Sequence, residues 1–276
     1  MKTATVKGAA GVSLHVREDG APNGTPILLI HGWSQSQLCW AKQFESSLRD
    51  ECRIVALDLR GHGMSDAPAE LAQYTDGDKW AEDIAAVIDA LELERPVLVG
   101  WSYGGFVISD YVRRFGEDKI AGINFVGGAV VLGPKAFGSL IGPGFLENAP
   151  AACQDDLLTN IAAMRRFLRA CIAKPIVQDE FEQILAFNMV VKPSVRGALI
   201  QRELDFASVL QGITVPALVT HGRSDTVVLP AMADYILAHC KTARASWFDG
   251  IGHAPFLEEA IRFNTELMSF ARETGH

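Results

Sequence analysis

The feature that most constrains this chain is an alternation of short apolar runs with segments of helical period. Pro26-Ile27-Leu28-Leu29-Ile30 is continuously apolar and ends at His31-Gly32. Residues 53–58 repeat the pattern and lead into Arg60-Gly61-His62-Gly63, and residues 96–99 repeat it before Gly100. Runs of this length without polar alternation are what a strand buried on both faces requires. Between them, apolar residues recur at helical spacing. Trp80, Ile84, Val87, Ile88 and Leu91 predict one helix, and Phe106, Val107, Tyr111, Val112 and Phe115 predict another. Residues 37–48 are expected to be helical, with strands at 13–17 and 120–126. Such repetition calls for a largely parallel sheet with helices on both faces.

The pattern breaks between about residues 133 and 205. Glycine and proline punctuate 132–150, and no strand signal returns until Val215. Leu157, Ile161, Met164 and Leu168 form one helical face, and Phe181, Ile184, Leu185 and Met189 form another. Alternation then resumes, with strands at 215–220 and 244–248 and helices at 230–239 and 256–271. The expected organisation is a core of residues 1–132 and 206–276 interrupted by a helical insertion, 133–205, that is not an independent domain.

Composition removes several classes of function. The chain has 276 residues, 49% of them hydrophobic, which is ample for a sizeable core. Lys plus Arg number 25 against 33 Asp plus Glu, a formal charge of −8 that argues against a nucleic-acid-binding face. No apolar stretch is long and uninterrupted enough to cross a bilayer, and the first residues have no apolar leader. Cys39, Cys52, Cys153, Cys171 and Cys240 are odd in number and scattered, so free thiols and a cytoplasmic location are expected. H-E-x-x-H, C-x-x-C and a strand-following G-x-G-x-x-G are all missing from the sequence, so no metal and no cofactor is expected.

Three strand ends carry chemistry. Gly100-Trp101-Ser102-Tyr103-Gly104 follows a strand and precedes a helix. Glycines two residues either side of Ser102 leave room for a sharp turn that lifts the hydroxyl above the sheet edge. A serine hydroxyl needs a base, and the base needs a carboxylate to orient it. Asp225 follows the strand at 215–220, in His221-Gly222-Arg223-Ser224-Asp225, and His253 follows the last strand, in Gly252-His253-Ala254-Pro255. Their order along the chain is the one this architecture requires. His31-Gly32-Trp33 follows the first buried strand. Its position makes the backbone N–H of Trp33, with that of Tyr103, the expected pair of oxyanion donors.

With these loops in view, the chain resembles the α/β-hydrolase fold superfamily over essentially its whole length. It is most similar to the cofactor-free haloperoxidase, arylesterase and enol-lactonase branch. The resemblance implies a mostly parallel eight-stranded sheet with a helical cap inserted after the sixth strand. It makes Ser102 the nucleophile, Asp225 the acid and His253 the base. The implied activity is a serine hydrolase cleaving a small carboxylic ester or lactone through an acyl-enzyme. Meta-cleavage-type C–C hydrolysis, perhydrolysis and a receptor-like protein with little turnover are the alternatives. Haloperoxidases active as perhydrolases typically carry proline after the H-G-W or H-G-F tripeptide and methionine after the nucleophile. This chain has Ser34 and Tyr103 there, which favours ordinary ester hydrolysis.

The remaining polar residues take quieter roles. His31 is expected to brace the oxyanion loop and His62 to serve its own turn, while His221 stands too close to Asp225 to be the base. His15, His239 and His276 are expected at the surface or an edge, and Asp58 and Asp66 in turns. Trp33, Trp101 and Tyr103 suggest an aromatic pocket. Met164, Phe167, Phe187 and Met189 are expected to pack the cap, with any of them able to line an acyl pocket. Arg165 and Arg166 are expected to be solvated. The partner is a small-molecule ester or lactone, with no nucleic acid and no membrane. The sequence is compatible with a homo-oligomer as well as a monomer.

Overall fold

The structure, a computed structural model, describes residues 2–275. Its eight-stranded sheet is built from β1 (Lys2–Lys7), β2 (Ser13–Gly20), β3 (Thr25–Ile30), β4 (Cys52–Leu57), β5 (Val97–Trp101), β6 (Gly122–Val126), β9 (Ala217–Gly222) and β10 (Ala243–Phe248). The spatial order is β1-β2-β4-β3-β5-β6-β9-β10. β1 and β2 join antiparallel at one edge, and every pair from β4 to β10 is parallel. The period of two along each strand divides the core between the faces. Leu28, Ile30, Val55, Leu57 and Leu98 enter one apolar cluster, while Ile27, Leu29, Ile54, Ala56 and Val99 enter the other.

The seven longer helices are α1 (Gly77–Ala90), α2 (Gly104–Phe115), α3 (Leu157–Ala170), α4 (Gln178–Met189), α5 (Pro193–Ile200), α6 (Pro230–His239) and α7 (Ala260–Thr274). Trp80, Ile84, Val87 and Ile88 of α1 are buried as their spacing predicts. α3 to α5 form the cap, which leaves the sheet after β6, the sixth strand. Its two ends are tied by a short antiparallel ribbon of β7 (Val131–Leu132) and β8 (Leu204–Asp205). None of the described helices is long and apolar enough to cross a membrane.

Several sequence expectations need correction. The closing helix expected over 256–271 is broken at Glu259, whose backbone is not helical, into Pro255–Glu258 and Ala260–Thr274. β1 left no apolar signal because only Val6 of its six residues is buried. β8 is two residues long, too short for a pattern to show in a segment read as strand-free to Val215. The helix expected over 37–48 is broken into a 3-10 turn (Gln37–Trp40), a single turn (Ala41–Phe44) and a second short helix (Leu48–Glu51). Ser46 is the cause. Its hydroxyl donates to the carbonyl of Gln43 at 2.9 Å and accepts from the N–H of Leu48 at 3.2 Å, competing with the helical ladder.

Candidate active site

Ser102 stands between β5 and α2 with φ at +55°, a left-handed conformation uncommon for a side chain with a Cβ. The surrounding backbone leaves it no alternative. Its N–H donates to Val126 at 3.0 Å, and its carbonyl accepts from Gly105 at 2.9 Å and Ala129 at 3.0 Å. The turn closes because its glycines lack a Cβ: one on Gly104 would lie 2.6 Å from the carbonyl oxygen of Ile30. One on Gly32 would lie 2.9 Å from the Cβ of Ser102, so the His31-Gly32-Trp33 loop passes directly against the serine.

The structure brings His253 and Asp225 together. His253 Nδ1 lies 2.7 Å from Asp225 Oδ2, and Asp225 Oδ1 accepts from the N–H groups of Val227 and Val228 at 2.8 and 3.0 Å. Burial opposes ionisation of this carboxyl, but the neighbouring His253 and His221 outweigh it and hold it at about 2. An ionised carboxylate only accepts, so Nδ1 carries the ring proton and Nε2 keeps a lone pair. That buried Nε2 has no hydrogen-bond partner, and none joins it to the Ser102 hydroxyl. The turn after β6 links the two groups: Ala129 bonds the serine backbone, and Gly127 leaves space against the His253 ring. The indole of Trp101, next to Ser102, donates to the carbonyl of His253 at 2.8 Å.

The other histidines sit largely as expected. His31 braces its loop: Nδ1 donates to Gly32 at 2.9 Å and Nε2 accepts from Leu59 at 3.0 Å. His62 Nδ1 donates to Arg60 at 2.9 Å within its own turn. His221 Nε2 lies 2.9 Å from the carbonyl of Val228, and 3.4 Å from Asp225 Oδ2. His15 and His239 are half-buried, and His276 lies outside the described residues. Asp58 accepts from Gln37 and Met64, and Asp66 from Ser13, which makes both turn residues. Among the described residues, neither the Trp33 nor the Tyr103 backbone N–H has an acceptor.

One cavity is lined by the serine, and a second lies beside its neighbour Trp101. The first, of about 30 Å³, is lined by Ser102, Trp33, Tyr103, Phe145, Ile200 and Val227. Phe145 and Phe167 pack edge-on against the Trp33 ring at 5.2 and 5.1 Å. A larger apolar cleft of about 460 Å³ runs between cap and core, touching Trp101 beside the serine and Ala254 beside the histidine. Phe187 lines this cleft, whereas Met164 is fully buried in the core. Arg165 and Arg166 are exposed.

Two basic residues that matter here escaped the sequence reading. Arg202 pairs with Asp110 at 2.6 Å and reaches the Tyr103 hydroxyl at 3.4 Å. Arg196 on α5 is completely buried against the loop of Trp33 and Ser34. Nothing local distinguishes either from a solvated arginine, because their acceptors come from distant parts of the chain.

Comparison with known proteins bears on the fold and its chemistry together. A family model described as the alpha/beta hydrolase fold matches residues 25–260. The chain belongs to the α/β-hydrolase family. Among solved structures it is similar to a putative aryl esterase from Burkholderia cenocepacia, 36% identical, with a TM-score of 0.94 and 99% of each chain covered. An esterase from Rhodococcus sp. ECU1013 is 34% identical, with a TM-score of 0.93, covering 99% of this chain and 100% of the other. A non-heme haloperoxidase of Rhodococcus erythropolis is 29% identical over 276 residues, 96% of this chain and 98% of that protein. This α/β-hydrolase therefore falls in the esterase and haloperoxidase branch.

Proposed function

We propose that this α/β-hydrolase is a serine esterase acting on small carboxylic esters, lactones included. The observation that carries the reading is the fixed His253–Asp225 contact, which leaves a bare Nε2 lone pair in a site where a strained serine waits. In the mechanism, His253 Nε2 takes the proton of Ser102 as Oγ attacks the ester carbonyl carbon. Asp225 holds the imidazole tautomer and stabilises the imidazolium. The backbone N–H groups of Trp33 and Tyr103, which have no protein acceptor, receive the oxyanion. His253 then protonates the leaving alcohol, and in a second half-reaction activates water to release the acid. Ser–His bonds of this kind often tighten only around substrate.

The cavities support a short acyl group and a larger alcohol. The 30 Å³ space lies on the side of the proposed oxyanion donors, where the acyl chain belongs, and it accommodates little beyond a few carbons. The 460 Å³ cleft reaches Trp101 and Ala254, the chain neighbours of Ser102 and His253, and the leaving alcohol is assigned to it. Ser102→Ala is expected to abolish hydrolysis of p-nitrophenyl acetate while circular dichroism stays that of the parent. Turnover that survives in this variant rules the mechanism out. Running the assay with and without hydrogen peroxide also reads out perhydrolysis.

A further inference from the structure

The cap buries one cation with no anion beside it. Arg196 is fully buried, and among the described residues no carboxylate oxygen lies within ion-pair distance of its guanidinium. Burial pushes its pKa down to about 10, with only the Cys153 thiol acting the other way. Its partners are neutral oxygens and, at 4.0 Å, the thioether of Met189. Nη1 donates to the carbonyl of Ala152 at 2.9 Å and to Asn160 Oδ1 at 2.6 Å. Nη2 donates to the carbonyl of Asn188, on α4, at 2.7 Å. Nε leaves the cap altogether and donates to the hydroxyl of Ser34 at 2.8 Å. Placing an uncompensated charge inside a protein is expensive, and a neutral side chain could have tied cap helices together.

The Ser34 end shows what the charge accomplishes. Ser34 holds φ at +62°, in the turn closed by the N–H of Gln35 donating to Gly32 at 3.2 Å. A proline, fixed near −65°, has no place in this turn. Three successive residues of the turn are bonded to the cap around Arg196. The Trp33 indole donates to the carbonyl of Arg196 at 3.1 Å, and the Ser34 hydroxyl donates to the carbonyl of Asn188 at 3.2 Å. Asn188 Nδ2 in turn donates to Gln35 Oε1 at 3.0 Å. The turn's strained conformation sets the direction of the Trp33 backbone N–H.

We infer that Arg196 is a positioning residue: through Ser34 it holds the Gly32–Gln35 turn so that the Trp33 N–H points at the developing oxyanion. The inference rests on the esterase reading above, which makes Trp33 a donor. It makes the cap part of the oxyanion hole as well as its roof. A ground-state ester makes little use of that donor and the tetrahedral anion makes full use, so losing the alignment lowers kcat and spares KM.

The test uses Arg196→Met, Ser34→Ala and the double variant, assayed on p-nitrophenyl acetate. Affinity for a trifluoromethyl ketone, which forms a tetrahedral oxyanion, is measured alongside. Before that, a fluorophosphonate probe establishes that the parent is labelled at Ser102. Outright deletion of an oxyanion donor costs on the order of 100- to 1000-fold in kcat, so a displaced donor in Arg196→Met is expected to cost about tenfold. KM should stay within about twofold, and ketone affinity should fall in parallel with kcat. Ser34→Ala, which keeps the arginine and its three bonds to oxygens within the cap while removing the hydroxyl that Nε reaches, should show the same split with a smaller fall. The double variant should be no worse than Arg196→Met, because both changes act through one turn. If Arg196→Met fails to fold, Ser34→Ala decides alone. Unchanged kcat in the folded variants, a rise in KM without a fall in kcat, or independent multiplying losses would overturn the inference. A parent that turns over without Ser102 labelling defeats the esterase reading instead.

Discussion

At the scale of single residues, two histidines, His31 and His62, are held neutral by burial. Burial drives His62 down to about 4, and it holds His31 well below the usual imidazole range. Their rings lie 5.0 Å apart. In the unfolded chain each titrates near 6.5, so between that value and about 4 the unfolded state binds more protons. The stability from a depressed histidine is therefore complete above about pH 6.5 and is lost as pH falls towards 4. At about 1.4 kcal/mol per pKa unit, His62 alone accounts for roughly 3 kcal/mol across that window. The Asp225 carboxyl, held at about 2, acts only at lower pH. Urea unfolding at pH 7, 5.5 and 4 should show a steep loss of stability in the parent and a shallower one in His62→Gln. Equal slopes in the two proteins would assign the acid sensitivity elsewhere.

At the scale of elements, a fully buried polar joint connects the turn after β4 to α1. Arg60 and Asp83 form a bidentate pair with both contacts at 2.7 Å and no exposure on either side chain. Asp83 also accepts from the N–H of Ala9 at 2.9 Å, which draws in the connection between β1 and β2. Removing one partner leaves a buried charge alone, a loss of about 3–5 kcal/mol in comparable pairs. Asp83→Asn should therefore lower the urea midpoint by a corresponding amount, and a shift below about 1 kcal/mol would mean the pair is dispensable. The apolar face of α1 was readable from Trp80, Ile84 and Val87 at helical spacing. Asp83 sits beside that face, and its burial depends on an arginine from another element. Periodicity marks which side of a helix turns inward but is silent on polar residues at the boundary of that side.

Over the whole molecule, the cap and the sheet edge enclose the chemistry jointly. The proposed acyl space is closed on the cap side by Phe145 and Ile200 and on the core side by Trp33 and Tyr103. The histidine loop is also bonded to the cap, since the N–H of His253 donates to the carbonyl of Cys171 at 2.8 Å. Glu258 accepts from Gly252 on that loop and from Ala173 and Lys174 beyond α3. Across the larger cleft, Lys42 of the core pairs with Glu180 of α4 at 3.0 Å. Phe145→Ala should enlarge the small cavity and move the preferred acyl group from two carbons to about four or more, as pocket volume rather than polar contact sets this choice. The readout is kcat/KM along a series of p-nitrophenyl esters. A profile that does not move would place the acyl group elsewhere.

The sequence alone determined the parallel sheet, the strand-to-helix turn at Ser102 and the loops that carry Asp225 and His253. Those features are local: a buried strand needs an unbroken apolar run, and a tight turn needs glycine at fixed offsets, so both are written in neighbouring residues. Only the tertiary structure decided that Arg196 packs against the loop of Trp33 and Ser34, that Asp225 shares its surroundings with His221, and that the cavity at Ser102 is so small. The bond from Arg196 to Ser34 spans 162 positions of the chain, and the bond from Trp33 to Arg196 spans 163. Whether an arginine is solvated or buried depends on which oxygens the fold packs around it, and no pattern within its own helix records that.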